Sequence, residues 1–326
     1  MVSGLFSRTA RPAILAASRS HRLRHSAERM PVARDVVRRF VPGESVADAL
    51  SAVGGLRDSG RLVSIDYLGE DVTDADTADA TVAAYLDLLD ALAAGFDTAG
   101  LDTGGVIRPL EVSLKLSALG QALGKDGDKI AHENAHTICA RAEQVGAWVT
   151  VDAEDHTTTD STLSIVRDLR ADYPWLGTVL QAYLRRTEGD CAEFAASGAR
   201  IRLCKGAYDE PAVVAYRDPV GITESYLRCL RILMAGSGYP MVASHDPAVI
   251  AAVPGLAREF GRGTDGFEYQ MLYGIRDGEQ RRLADTGNHV RVYVPFGSQW
   301  YGYFVRRLAE RPANLMFFLR ALAHRN

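Results

Sequence analysis

Only four of the 326 residues are cysteine, and no two of Cys139, Cys191, Cys204 and Cys229 stand at CxxC spacing. That excludes a zinc ribbon and a disulfide-built scaffold, and it leaves a reducing cytoplasm as the default compartment. No apolar run approaches the roughly 20 residues that a membrane-spanning helix requires. Charge of one sign is also in short supply: a formal net charge of -4 and a pI near 6.1 offer no general attraction to nucleic acid.

What is present describes a soluble globular chain, since 47% hydrophobic content with mixed charge is enough to bury a large core. Basic charge collects at one end. Residues 1–40 carry nine arginines against Glu28 and Asp35, a local +7 that leaves -11 for the remainder. A transit peptide, an amphipathic segment drawn to anionic lipid and a loosely ordered tail all share this composition, and the tail is the simplest.

From about Arg61 the chain alternates β-like runs with helical stretches. The runs are RLVSIDY, LEVSLKL, WVTVD, TVLQAY, RIRLCK, PMVAS, FEYQML and VRVYV; between them, helices are predicted over 76–95, 128–145, 160–171, 187–198, 220–236, 247–260 and 276–287. Eight strands, each followed by a helix, predict an α/β chain closed as a (β/α)8 TIM barrel. The expected division is a basic arm and helical extension over 1–60 and a catalytic barrel with C-terminal helices over 61–326. Within strands, Val112, Leu114 and Leu116 alternate with Ser113 and Lys115, and Val149 and Val151 with Thr150 and Asp152. One set faces the helices and the other the barrel interior.

Polar residues gather where such a barrel does chemistry, at strand C-termini. Asp66, Glu70, Lys115, Asp152, Asp155, Gln181, Tyr183, Arg202, Lys205, His245, Gln270, Tyr273 and Tyr293 all fall there, although Asp66 and Gln270 also read as ordinary structural groups. Near the C-terminus, Tyr303, Arg306, Arg307 and Glu310 stand at i, i+3, i+4 and i+7, one polar face of a helix held down by Phe304, Val305 and Leu308. An arginine pair beside a tyrosine suits a small carboxylate, because each guanidinium can grip both oxygens. Pro312 ends that helix, and another is expected through MFFLRAL.

Two other motifs point elsewhere. HENAH (His132 to His136) matches the zinc-peptidase pattern HExxH, with Glu154 as a third ligand, but no extended zinc signature follows. GRGTDG (Gly261 to Gly266) matches the dinucleotide fingerprint, yet it follows a helix and leads into a strand, the reverse of what phosphate binding at a helix N-terminus needs. A zinc peptidase, and a Schiff-base lyase using Lys115 or Lys205, remain the competing function classes.

The combination of LGE (Leu68 to Glu70), SLKLSALG (from Ser113), VDAED (from Val151), QAYLRRT (from Gln181), RLCKGAYDE (from Arg202), SHD (from Ser244), YQMLYG (from Tyr269) and YVPFG followed by YFVRRLAERPANL resembles the proline dehydrogenase family from about residue 60 to 320. The resemblance implies a distorted barrel with FAD over the strand ends, oxidation of L-proline to Δ1-pyrroline-5-carboxylate, and reoxidation by a quinone at a membrane surface, with a cytoplasmic enzyme peripheral to the inner membrane. It places Arg306, Arg307 and Lys115 on the proline carboxylate, Tyr208, Tyr293, Tyr303 and Leu272 around the ring, Glu310 behind the arginines, and Glu70 as a gate paired with Arg306. It sets Asp152, Ala153 and Gln181 near the isoalloxazine and Arg202 at its N5 and O4 edge. Lys205, Gly206 and Ala207 go to the phosphates or ribityl chain, and Ser244 and His245 to the adenosine half. Asp152 and Arg202 are the catalytic assignments. Cys204, Asp209 and Ser244 depart from the family pattern, and Asp209 puts its local contacts in question.

Overall fold

The structure, a computed structural model, describes residues 37–96 and 107–310. The strands are β1 (Leu62–Tyr67), β2 (Leu110–Leu114), β3 (Trp148–Val151), β4 (Gly177–Gln181), β5 (Arg200–Cys204), β6 (Tyr239–Ala243), β7 (Glu268–Leu272) and β8 (Val290–Phe296). All neighbours pair in parallel, and β8 returns to β1 over six register positions, from Leu62 opposite Arg291 to Tyr67 opposite Phe296, which closes the barrel. Helix α1 (Val46–Arg57) precedes β1. The helices that follow successive strands are α2 (Ala75–Gly95), α3 (Gly127–Gln144), α4 (Thr159–Asp172), α5 (Thr187–Ala196), α6 (Pro219–Ala235), α7 (Pro247–Glu259), α8 (Asp277–Asp285) and α9 (Trp300–Glu310).

Local chemistry starts these helices. Asp218 and Asp246 each accept a backbone N–H at an N-cap, and each is followed by proline, whose fixed φ suits the first helical turn. Ser45 and Asp48 form a reciprocal capping box at α1. Outward strand residues such as Val63, Ile65, Val112, Leu114, Val149, Val292 and Val294 are fully buried against the helix ring in one continuous core. This is the apolar half of the alternation seen in the sequence.

Three differences from the sequence reading have clear causes. Strand β4 ends at Gln181: Ala182 N and Tyr183 N still donate to the carbonyls of Cys204 and Lys205, but the two carbonyls turn away to accept from Ser225 Oγ and Tyr216 N. After β2 the chain makes two short 3-10 turns, Leu116–Leu119 and Gly124–Asp126, separated by Gly120 at φ +100°, before α3 starts. Val37 and Phe40, placed in the basic arm by charge alone, and the following Val41 pack with Leu68, Trp300, Phe304 and Val305, so the end of that segment supports α9. Residues 1–36, Pro312 and the helix expected through MFFLRAL lie outside the described residues.

Candidate active site

Inside the barrel the inward-facing side chains are largely polar and form successive tiers. At the floor, Glu268 accepts two hydrogen bonds from Arg291 (2.7 and 3.0 Å), and both residues are fully buried. Glu111, also fully buried, accepts from Arg200 at 2.5 Å and from Arg202 at 2.7 Å. Trp148 lies beneath, with the Arg200 guanidinium 3.6 Å from its ring centre. Charges so placed persist only because each has a partner; the flanking arginines hold the Glu111 carboxyl well below the usual range, outweighing its burial.

The tier above is organised by Arg202. Its guanidinium donates to Gln270 Oε1 (2.5 Å), Ser64 Oγ (3.1 Å) and Asp152 Oδ1 (2.7 Å) in addition to Glu111. Burial alone would lower its pKa, but Asp152 and Glu111 outweigh that and raise it. At the strand mouths Lys115 Nζ reaches both oxygens of Asp66 at 2.8 Å and lies 3.9 Å from Asp152 Oδ2, to which the Tyr293 hydroxyl donates at 2.7 Å. Asp66, Asp152 and Glu70 together raise the Lys115 pKa against the effect of its burial. Asp66, read from sequence as an ordinary polar group, is therefore the residue that aims Lys115. The available signal was parity: Asp66 shares the inward set of β1 with Ser64.

Helix α9 crosses this mouth. Arg306 pairs with both oxygens of Glu70, at 2.9 Å for the Nη1 to Oε2 bond, and its guanidinium lies 6.0 Å from the Tyr208 ring centre. Arg307 is buried with its guanidinium 4.9 Å from the Tyr303 ring. The expected polar face is thus turned into the protein, and Tyr303 belongs to the apolar cluster around Phe304. Burial would raise the Glu70 carboxyl, but Arg306, Lys115 and Arg307 together hold it low. Side chains beyond Arg307, Glu310 included, lie outside the described residues.

The remaining candidates line the β4 to β7 side. Lys205 Nζ bonds Asp246 (2.5 Å) and Thr223 (2.8 Å), and the His245 ring accepts the Leu272 N–H at 2.9 Å. Ser244 Oγ accepts the Asp246 N–H, while Ala153 and Ala207 are half-buried in loops past β3 and β5. Gly206 has φ +108°, and a Cβ there would stand 2.3 Å from the Tyr183 ring. The Tyr183 hydroxyl donates to buried Glu210, which also holds the backbone and ring of His156. That tie between two mouth loops carries no signal in sequence, because Glu210 and His156 are 54 positions apart. Asp209 pairs at the surface with Arg217.

The two competing motifs sit outside the mouth. His132 and His136 lie on α3, where His136 contacts the Tyr173 ring and stands 3.5 Å from Asp172, while Glu154 is engaged by Ser117. No three His, Cys, Asp or Glu side chains among the described residues form a metal-ligating group. GRGTDG is the turn between α7 and β7.

A sequence profile described as Proline dehydrogenase matches residues 49–320. The proline dehydrogenase of Deinococcus radiodurans is 39% identical over 290 residues, 88% of this chain and 90% of that protein. Proline dehydrogenase 1 of Bacillus subtilis is 36% identical over 285 residues, with 87% and 90% covered. Among solved structures, proline utilization A of Bdellovibrio bacteriovorus, inactivated by N-propargylglycine, superposes with a TM-score of 0.77 at 26% identity over 85% of this chain. This chain spans about a third of that longer protein, 33%. With a closed eight-stranded barrel, a profile match over residues 49–320 and a relative 39% identical over 90% of its own length, the chain belongs to the proline dehydrogenase family.

Proposed function

We propose that this protein oxidises L-proline to Δ1-pyrroline-5-carboxylate in proline degradation, with FAD as cofactor and a quinone as electron acceptor. The observation that carries the proposal is Arg306, paired with both oxygens of Glu70 at the barrel mouth, with Lys115 and Arg307 near enough to help hold the same carboxyl low. Three cations assigned from sequence to a substrate carboxylate meet in one neighbourhood, at the mouth of the barrel. In the reading we propose, the proline carboxylate takes the cations' attention and Glu70 closes over it through Arg306. Tyr208, Tyr293, Tyr303 and Leu272 bound the ring, and Glu310 backs the arginines.

The chain's own residues suit a flavin at this mouth. Gln181 Oε1 is buried at the end of β4 with no hydrogen-bond partner among the described residues, an acceptor that an imide N–H would satisfy. Gly206 keeps its backbone bare beside Tyr183, allowing the close approach a phosphate or ribityl chain needs. Asp152, Ala153, Gln181, Arg202, Lys205, Gly206, Ala207, Ser244 and His245 would hold it. Held there, FAD would supply the hydride acceptor for proline C5. Around that step Arg202 keeps a fixed positive charge anchored by Asp152 and Glu111, and the carboxylate clamp fixes ring orientation, which is where positioning lowers a barrier. In this proposal the quinone is met at a membrane surface by a cytoplasmic protein; no described helix is long and apolar enough to cross a membrane.

Arg306→Met tests the assignment. Proline affinity should fall by about a hundredfold, the scale of removing one partner of a buried charge pair, while flavin content stays as in the parent. Unchanged affinity, or flavin lost together with proline binding, would place Arg306 in a structural role.

A further inference from the structure

Glu70 sits on the loop between β1 and α2, and what fixes that loop lies elsewhere. Asp71, the next residue, has φ +53°, a left-handed conformation uncommon outside glycine that aspartate tolerates better than most side chains, and neighbours hold its backbone there. The neighbour is Ser117, 5% exposed in the turn after β2. Asp71 N donates to Ser117 Oγ at 3.1 Å and Val72 N donates to the Ser117 carbonyl at 3.2 Å. Ser117 is held in turn by Glu154 from the loop after β3: its backbone N donates to Oε1 at 3.1 Å and its hydroxyl to Oε2 at 2.5 Å. The single hydroxyl thus receives a bond from one loop and gives one to another, so its orientation is set from both sides.

We infer that Glu154 and Ser117 are positioning residues: through the Asp71 and Val72 amides they set where Glu70 meets Arg306, and thereby the substrate affinity of the carboxylate clamp. This rests on the carboxylate-site reading above. Neither side chain needs to touch substrate to act. Three loops, after β1, β2 and β3, move as one unit when this chain of bonds is intact. The titratable groups facing Glu154 are Glu70, Lys115 and the Tyr208 phenol. Burial and the charge of Glu70 push the Glu154 carboxyl up to about 7 against the bonds from Ser117, which marks it as a group held in place at a cost.

The test combines amide hydrogen exchange without substrate and steady-state kinetics with proline, on the full chain. Ser117→Ala and Glu154→Ala should speed exchange over residues 69–73 and raise KM for proline, each by about tenfold, with kcat changing by less than about twofold. Glu154→Gln, which keeps an acceptor for Ser117, should recover most of both. Exchange over 69–73 equal to the parent would overturn the inference, as would a KM that does not move. A uniform rise in exchange across α6 and α7 would also overturn it, because it would reveal general destabilisation. Exchange is read on the ligand-free protein, so it decides the loop clamp even if the parent does not turn over proline, and that second failure would count against the function alone.

Discussion

Two carboxyls at the mouth titrate far from their ordinary range, and the sign of their effect is fixed. Burial, reinforced by Asp152 and opposed by Lys115, pushes Asp66 up to about 6; burial and Glu70 push Glu154 up to about 7. Each binds its proton more tightly folded than unfolded. The stability each contributes is full below its ordinary value, 3.8 for Asp66 and 4.5 for Glu154, and is lost as pH rises through the raised value. Glu154→Gln removes one of these titrations. Going from pH 5 to 7.5, the variant should gain on the parent in chemical denaturation, on the order of 1 to 3 kcal/mol. Parallel stability curves would show that Glu154 does not titrate in this window.

At the scale of elements, the periodicities in the sequence place the strands and helices well, because a period of two and a period of 3.6 each report which side of a barrel element meets the core. Helices expected over 160–171 and 247–260 appear as Thr159–Asp172 and Pro247–Glu259. The polar strand ends were legible for the same reason, since Lys115, Asp152 and Arg202 stand on the polar side of the strand alternation. Contacts made across loops were not legible. The Glu210 tie to His156 and Tyr183, and the Glu154 bond to Ser117, join residues with no periodic relation, and Tyr303 read as polar-face when it is packed against Phe304's cluster. Gly206 belongs to this scale too. Gly206→Ala would require a left-handed alanine and put a methyl into the Tyr183 ring, so it should cost about 1 to 3 kcal/mol. Thermal or chemical unfolding reads this directly, and a variant as stable as the parent would show that the loop relaxes freely.

For the molecule as a whole, the barrel interior is a bonded stack from floor to mouth rather than an apolar plug. Glu268 binds Arg291 and Gln270, Gln270 binds Arg202, and Arg202 binds Asp152. Stability and site geometry are therefore coupled along one path. Glu268→Ala would strand the fully buried Arg291 and free Gln270, with an expected loss of about 3 to 5 kcal/mol in denaturation. A loss under about 1 kcal/mol would mean that the carbonyls of Val63 and Arg108, which Arg291 also reaches, satisfy it alone.

The central claim is that the tier of charges at the barrel mouth serves a flavin that takes hydride from proline. The most direct measurement is the visible absorption spectrum of the purified protein, supplied with FAD, before and after anaerobic addition of L-proline. Oxidised-flavin bands that bleach on adding proline are the predicted result. Bands that persist with proline, or a protein that retains no flavin after FAD is supplied, would contradict it.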